Sequence, residues 1–411
     1  MSASLGIDFG TSNSAAGVMR DGAPLLIEVE AGQATLPTSV FFDFASGEVI
    51  FGSAANAALI DGREGRFMRS LKSVLGTSLM HEQRRMMGET LTFVDIIARF
   101  LAYVKARAEE ETGVRFDHAL SGRPVRFHSA SDARNAQAVE DLEACYTAAG
   151  FETVRFMNEP EAAALAAGAM AKGGVGLIVD IGGGTSDFSL FRQQGDGVDI
   201  LSSYGIRLGG TNFDTTLSVD HVMPLLGRGG LIRDPMSGQV MAAPKKMFRD
   251  LATWEMIPFQ YTPEMRREVA RMERMAVEPV GFARLGTVLE YELGHDLAFA
   301  VEAGKIAANK GESALIKMGF VAPGLTATMG KDAMAASLAE FEVQLTEAVK
   351  ICVAGAGLSV GDVDRVIFVG GSSLMSLVAK AARDALPDAE QDYANVYTGV
   401  VDGLAAAAGT A

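Results

Sequence analysis

The chain has 411 residues, 48% hydrophobic and 21% charged, a balance far from the low hydrophobicity of disordered chains. That length allows two or three domains with a sizeable core and excludes a small scaffold stapled by disulfides. With 36 Lys and Arg against 51 Asp and Glu, the net charge of −15 repels phosphate backbones and anionic lipid, so neither nucleic acid nor membrane is an expected partner.

Cys145 and Cys352 have neither metal-ligand nor CxxC spacing, and the five histidines form no paired-ligand pattern. A reducing, cytoplasmic setting is expected. No basic segment followed by an apolar run opens the chain. The nearest approach to a membrane span, residues 161–179, is mostly alanine, carries Glu161 and Lys172, and reads as a close-packed helix followed by a turn.

In chain order, the first informative stretch is Leu5-Gly6-Ile7-Asp8-Phe9-Gly10-Thr11-Ser12-Asn13. It recurs as Leu177-Ile178-Val179-Asp180-Ile181-Gly182-Gly183-Gly184-Thr185-Ser186-Asp187, with two glycines inserted. Apolar residues resume after each copy, at Ala15 to Met19 and at Phe188, Leu190 and Phe191. Each copy therefore predicts a β-hairpin rather than a strand feeding a helix, which argues against Walker and Rossmann motifs. Glycines let backbone N–H groups approach phosphate oxygens, hydroxyls add donors, and an Asp at a strand end can hold hydrated Mg²⁺. One such turn is an ordinary Asp-Gly hairpin; two copies could grip one polyphosphate.

Lys72, between the hairpins, is by itself an ordinary surface lysine. Asn158-Glu159-Pro160 opens an alanine-rich helix, where a carboxylate is favourable as a cap whether or not it does chemistry. Leu208-Gly209-Gly210 leads into a helical pattern. Thr262-Pro263-Glu264 starts a helix that places Met265, Val269, Met272 and Ala276 on one face and Arg266, Arg267, Arg271 and Arg274 on the others. The same region is dense in methionine (Met223, Met236, Met241, Met247, Met256, Met265, Met272, Met275), which suits an irregular core or an adaptable partner-binding surface. Glu302 and Lys305 lie three apart on a predicted helix, hence on one face. Val366 to Val369 is a buried apolar strand ending in Gly370-Gly371-Ser372-Ser373, and the helix Leu377 to Leu386 stops before Pro387.

Five of these motifs, Asp8-Phe9-Gly10-Thr11-Ser12, Asn158-Glu159-Pro160-Glu161, Asp180 to Asp187, Leu208-Gly209-Gly210 and Val369-Gly370-Gly371-Ser372-Ser373, stand in the order seen in actin-like ATPases. The chain most resembles the nucleotide-binding domain of the heat-shock protein 70 family, DnaK type, from about residue 5 to about residue 408. Ser121-Gly122-Arg123-Pro124-Val125 and Met223-Pro224-Leu225-Leu226-Gly227 look like its short YegD-type members. The resemblance implies an α/β, two-lobed actin-like ATPase fold with duplicated ribonuclease-H-like cores and inserted small subdomains. Lobe I would span 1–173, with core 1–35 and 115–173 around an insert at 36–114. Lobe II would span 174–411, with core 174–210 and 336–411 around an insert at 211–335.

The resemblance also implies roles. Gly10, Thr11, Ser12, Gly182, Gly183, Gly184 and Thr185 would cradle phosphates, with Gly209, Gly210, Gly370, Gly371 and Ser372 as further cofactor contacts. Asp8 and Asp180 would hold Mg²⁺ through its waters, and Lys72 would stabilise charge on the transferring phosphoryl group. Glu159, Asp187 and Thr185 would orient metal waters or the attacking water. Glu302 and Lys305 would meet the ribose and base of ATP or ADP, with K⁺ as an additional ion. Ile306 and Leu374 stand where the family has arginines that stack on adenine, and Asn309 replaces a serine, so weaker or less adenine-selective binding is expected.

Alanine-rich helices at 161–168 and 402–408 occupy the family's hinge positions, which implies opening and closing around nucleotide. Eight residues follow Gly403, without a linker or a β-rich peptide-binding segment, so the expectation is an ATPase switch signalling to an unknown protein partner or co-chaperone. The alternatives are a polymerising actin-like ATPase, whose second hairpin tends to end in Glu where this chain has Asp187, and a small-molecule kinase, for which no acceptor motif is found.

Overall fold

The computed structural model describes residues 3–128, 131–168, 170–171, 173–195, 197–234, 238–311, 314–393 and 396–409; Lys172 and Met236, named above, lie outside these. The chain forms two compact units. One comprises Met1–Arg207, Thr346–Leu374 and Ala382–Ala411, the other Leu208–Leu345 and Met375–Ala381. Among the described residues, no helix is long and apolar enough to cross a membrane.

The first unit contains two mixed sheets built on one plan. In the first sheet the strand Ala3–Phe9 pairs antiparallel with Asn13–Arg20, which pairs antiparallel with Ala23–Leu26. On its other side Ala3–Phe9 pairs parallel with Phe116–Arg123, and that strand pairs parallel with Thr153–Asn158. The second sheet repeats this: Val175–Ile181 pairs antiparallel with Ser186–Gln194, which pairs with Gly197–Ile206, and parallel with Arg365–Val369, which pairs with Glu390–Asp392. The repeat noticed in sequence is thus the visible part of a duplicated five-strand order, and both copies are hairpins as predicted.

Alternation decides which way each strand faces. Leu5, Ile7 and Phe9 are fully buried in a core completed by Ile97, Phe100, Leu101, Leu142 and Tyr146. Two helices supply those partners. Phe93–Thr112 starts at a capping box in which Thr92 accepts from the Asp95 N–H and Asp95 accepts from Thr92; it ends at Gly113 in the left-handed conformation. Asp132–Ala148 starts at Ser131, whose side chain accepts from Arg134.

On the opposite face of the same strand, Gly6 meets the terminal helix Gly399–Gly409, and an added Cβ would lie 2.8 Å from the Ala405 nitrogen. That helix also crosses Glu159–Ala166, where a Cβ on Gly403 would lie 1.9 Å from the Ala162 carbonyl oxygen. Small residues at 162–164 and at 403 and 405 thus let two backbones approach closely within an apolar cluster that includes Ile178, Ile367, Val369 and Leu404. A smaller three-stranded sheet, Val49–Phe51, Ser39–Asp43 and Gly65–Arg69, carries the chain into the short 3₁₀ helix Leu71–Val74.

The second unit is mainly helical, with Gly210–Leu217, Lys245–Ala252, Pro263–Met275, Val280–Glu290 and Gly294–Asn309, plus two short hairpins. Thr262 caps the helix that follows it by accepting from the Met265 N–H at 3.2 Å. Met223, Met247 and Met272 fill its core, whereas Met241 is exposed. Arg267 and Arg271 pair with Glu264 and Glu268 one turn away, and Arg266 pairs with Glu292. Three of the seven methionines named above that lie among the described residues are therefore core packing, as expected of a flexible side chain in an irregular core, and Met256, Met265 and Met275 are half-buried.

Candidate functional site

Both hairpin turns lie in the first unit, and their tips touch. In the first, Asp8 sits opposite Ala15 and Phe9 opposite Ser14, leaving Gly10 to Asn13 to make the reversal. Only glycine fits at position 10, because a Cβ would lie 2.1 Å from the Asn13 carbonyl oxygen. The turn is tied down behind: the Thr38 N–H donates to Ser12 O at 2.8 Å, and the buried hydroxyls of Ser14 and Thr38 bond at 2.8 Å. In the second, Asp180 sits directly opposite Asp187, and the Gly182 N–H donates to Thr185 O at 2.9 Å. A Cβ on Gly183 would fall 2.4 Å from the Ser12 hydroxyl oxygen, so the absence of a side chain there lets the tips meet. Ser12, Gly184 and Thr185 are exposed at those tips, and nothing lies within 4 Å of where a Gly184 Cβ would be.

The glycine turn after Arg365–Val369 joins them. Gly370 has φ +81°, donates its N–H to Val396 O at 2.8 Å, and lies so close to Asp180 that a Cβ would be 2.9 Å from that carboxylate. Gly371 opens the short turn Gly371–Leu374, with Ser372 inside it, before the helix Ser376–Ala385.

At the base of the hairpins lies a cluster of charges. Lys72, on the 3₁₀ turn, donates to and pairs with Glu159, the first residue of its helix. Burial pushes the Asp8 carboxyl up to about 7, and the negative charge of Glu159 adds to this while Lys72 opposes it. Burial likewise raises Asp180 well above the carboxylate range, with Glu159, Asp187 and Asp8 adding repulsion. Asp187 is raised to about 6, again chiefly by burial, against a hydrogen bond from Thr185 that favours its ionised form. Burial alone would lower Lys72, but attraction to Glu159, Asp8 and Asp180 outweighs it and holds the ammonium above its ordinary value. Four carboxylates thus surround one ammonium, an arrangement short of positive charge.

This donor set fits a hydrated Mg²⁺. Among the described residues, no three His, Cys, Asp or Glu side chains converge to ligate a metal directly. A magnesium ion that keeps its waters needs only one or two carboxylates beside it, with phosphate oxygens completing the shell. Asp8 and Asp180 would serve through water, and the hairpin tips offer the glycines and hydroxyls a polyphosphate requires.

The remaining candidates belong to the second unit. Gly209 donates its N–H to Asn212 Oδ1 at 2.9 Å, and Gly210 begins the helix Gly210–Leu217. Glu302 and Lys305 occupy the helix Gly294–Asn309 as predicted, but they differ in setting: Glu302 is exposed, and Lys305 is buried and paired with Asp214 at 2.9 Å. Asn309 Oδ1 accepts from the Ser376 N–H at 2.8 Å. Ile306 and, in the first unit, Leu374 are exposed aliphatic side chains.

Sequence reading overlooked three residues of the first unit. A Cβ on Gly205 would lie 2.7 Å from Asp187 Oδ1, so this strand glycine makes room for the carboxylate. Gly122 makes similar room beneath Glu159, whose Cγ would be 3.2 Å from its Cβ. Asp141, fully buried in the helix Asp132–Ala148, accepts from the Gly76 N–H just beyond the Lys72 turn. An isolated glycine in a strand is a signal for close approach, and both glycines carried it; Asp141 carried none.

A family model described as "Hsp70 protein" matches residues 4–228, more than half of the chain. The chain is also 33% identical over 213 residues to the chaperone protein DnaK of Mycoplasma mycoides subsp. mycoides, a match covering 51% of this chain. It spans 34% of that relative's length.

Proposed function

The chain belongs to the Hsp70 protein family, and we propose that it is an ATP-binding protein that hydrolyses ATP slowly, in the cytoplasm, as a chaperone-like switch. The observation that carries this reading is the cluster of Asp8, Asp180, Asp187 and Glu159 around Lys72, directly beneath two touching glycine hairpins. A buried excess of carboxylates is costly by itself and becomes favourable when a divalent cation enters. Mg²⁺ held through its waters by Asp8 and Asp180 would supply that positive charge.

The protein's own groups then divide the work. Backbone N–H groups of Gly10 to Ser12 and Gly182 to Thr185 hold phosphate oxygens, with the hydroxyls of Thr11, Ser12 and Thr185 as added donors. The Lys72 ammonium, held in place by Glu159, faces the charge that develops on the transferring phosphoryl group. Asp187 and Glu159 orient water, and the pKa of Asp187 near 6 leaves it mostly ionised at neutral pH and able to accept a proton. Gly370, Gly371 and Ser372 contact phosphate or ribose. Nucleotide state would drive closure of the two lobes and signal to a protein partner, with the exposed side of the methionine-bearing insert as the partner surface. Close packing of Gly403 on Ala162 supports a hinge of small residues.

Single-turnover ATP hydrolysis by the unsubstituted protein, Lys72→Ala and Asp8→Asn tests the proposal. Lys72→Ala is expected to slow hydrolysis at least 100-fold with ATP still bound, and Asp8→Asn to weaken the magnesium dependence. If all three hydrolyse ATP alike, the assigned site is wrong. Strong stimulation by added sugars would favour a small-molecule kinase, and nucleotide-dependent light scattering a polymerising ATPase.

A further inference from the structure

Lys72 reaches the carboxylate cluster from a short turn, Leu71–Val74, whose entry residue Ser70 adopts φ +58°. A four-residue 3₁₀ turn has too few internal hydrogen bonds to fix a long side chain to within the tolerance that catalysis demands. Something outside the turn must hold it, and the helix Asp132–Ala148 does so through a carboxylate. Asp141 is 1% exposed and surrounded by apolar residues of the core, yet both of its oxygens are used. Oδ2 accepts from the Gly76 N–H at 2.8 Å. Oδ1 accepts from Gln137 Nε2 at 3.0 Å and lies 3.1 Å from His81 Nε2.

Two further contacts lock the same spot. His128 Nε2 bonds the Leu75 carbonyl oxygen at 2.7 Å. Gly76 has φ +73°, and a Cβ there would lie 2.3 Å from the Arg134 carbonyl oxygen, so the turn's exit presses directly on the helix backbone. A buried carboxylate is a costly choice where an apolar residue would pack as well; here two of its three contacts, from Gly76 and His81, come from the segment that presents Lys72, and the third comes from Gln137 one turn back on its own helix.

We propose that Asp141 is a positioning residue that clamps the Lys72 turn to the helix Asp132–Ala148, so that the ammonium is held at Glu159 and Asp8 before phosphate arrives. This rests on the assignment of Lys72 to ATP hydrolysis. Without the clamp the turn keeps its buried Leu71 and Leu75 and the His128 bond to the Leu75 carbonyl, but its exit at Gly76 loses the carboxylate that ties it to the helix. Lys72 then spends most of its time off the position the transition state needs, while the hairpins that bind phosphate are untouched.

A double-mutant cycle tests it. Single-turnover hydrolysis and equilibrium ATP binding are measured for the full chain, Asp141→Ala, Lys72→Ala and the double variant, with circular dichroism melts confirming folding. The expected result is a loss of at least 10-fold in the hydrolysis rate constant for Asp141→Ala, with ATP affinity changed less than 3-fold and no further loss when Lys72 is already alanine. Asp141→Asn, which keeps an oxygen acceptor for the Gly76 N–H, should recover most of the rate. Should Asp141→Ala fail to fold, His128→Ala removes the second anchor of the same turn and should show the same dependence on Lys72. An unchanged rate, or an equal loss with and without Lys72, overturns the clamp. Absence of hydrolysis in the unsubstituted protein overturns the ATPase assignment instead, and the clamp's catalytic purpose with it.

Discussion

Asp8→Asn should make the nucleotide-free protein more stable at pH 8 and leave its stability at pH 4.5 almost unchanged. The reason lies in linkage. A carboxyl whose pKa is higher in the folded than in the unfolded chain holds its proton more tightly when folded. Its contribution to stability is complete below the unfolded value and is lost as pH rises through the folded value. For Asp8 the two limits are 3.8 and about 7, so the loss runs across the window from about 4 to about 7. At about 1.4 kcal/mol per pH unit this amounts to about 4 kcal/mol, as an upper figure. Asp8 keeps some contact with solvent, which reduces the effect to about 2 kcal/mol.

Asp187, raised to about 6, acts in the same direction. The lowered carboxyls of Asp43 and Asp95 act below pH 4, outside this window, and Lys72 acts only well above it. Urea unfolding at half-unit steps from pH 4.5 to 8 is the assay. The unsubstituted protein should lose stability across that range, Asp8→Asn should lose less, and saturating Mg²⁺ with ATP should flatten the curve of the former. Stability rising with pH across this range, or identical curves for the two proteins, would refute the picture of an over-charged site.

Two other outcomes follow from particular contacts. With exposed Ile306 and Leu374 in place of stacking arginines, ATP and GTP should bind within about 10-fold of each other, since a stacked cation contributes about 1–2 kcal/mol; submicromolar, strictly adenine-selective binding in a titration would contradict this. Gly403→Ala drives a methyl group into the Ala162 carbonyl and should cost about 1–3 kcal/mol, read as a lower urea midpoint, because backbone on both sides has to move.

Local pattern was enough to find the two glycine hairpins. Their signal is dense: a strand, an Asp, glycines required by close contacts of 2.1 and 2.4 Å, and hydroxyls, all within a dozen residues. The helix starts at Thr262 and Gly210 and the strand before Gly370 were legible for the same reason. The duplication, too, could be read from the repeated motif, although the motif shows only the antiparallel hairpin of each sheet and not the strands that flank it.

What local pattern could not supply was which distant groups meet. The pairing of Lys72 with Glu159 spans 87 residues, and the bond from Gly76 to Asp141 spans 65. Neither leaves a periodic trace, because each partner is placed by the packing of a whole helix against a sheet. Glu302 and Lys305 make the same point in reverse: their spacing correctly put them on one helix, but burial gave Lys305 to Asp214 and left Glu302 in solvent. Sequence determined the two glycine hairpins and the family because these are patterns written in consecutive residues. Only the tertiary structure decided the charge balance of the site and what holds its lysine in place, because desolvation and Coulomb interaction depend on what the fold brings within a few ångströms.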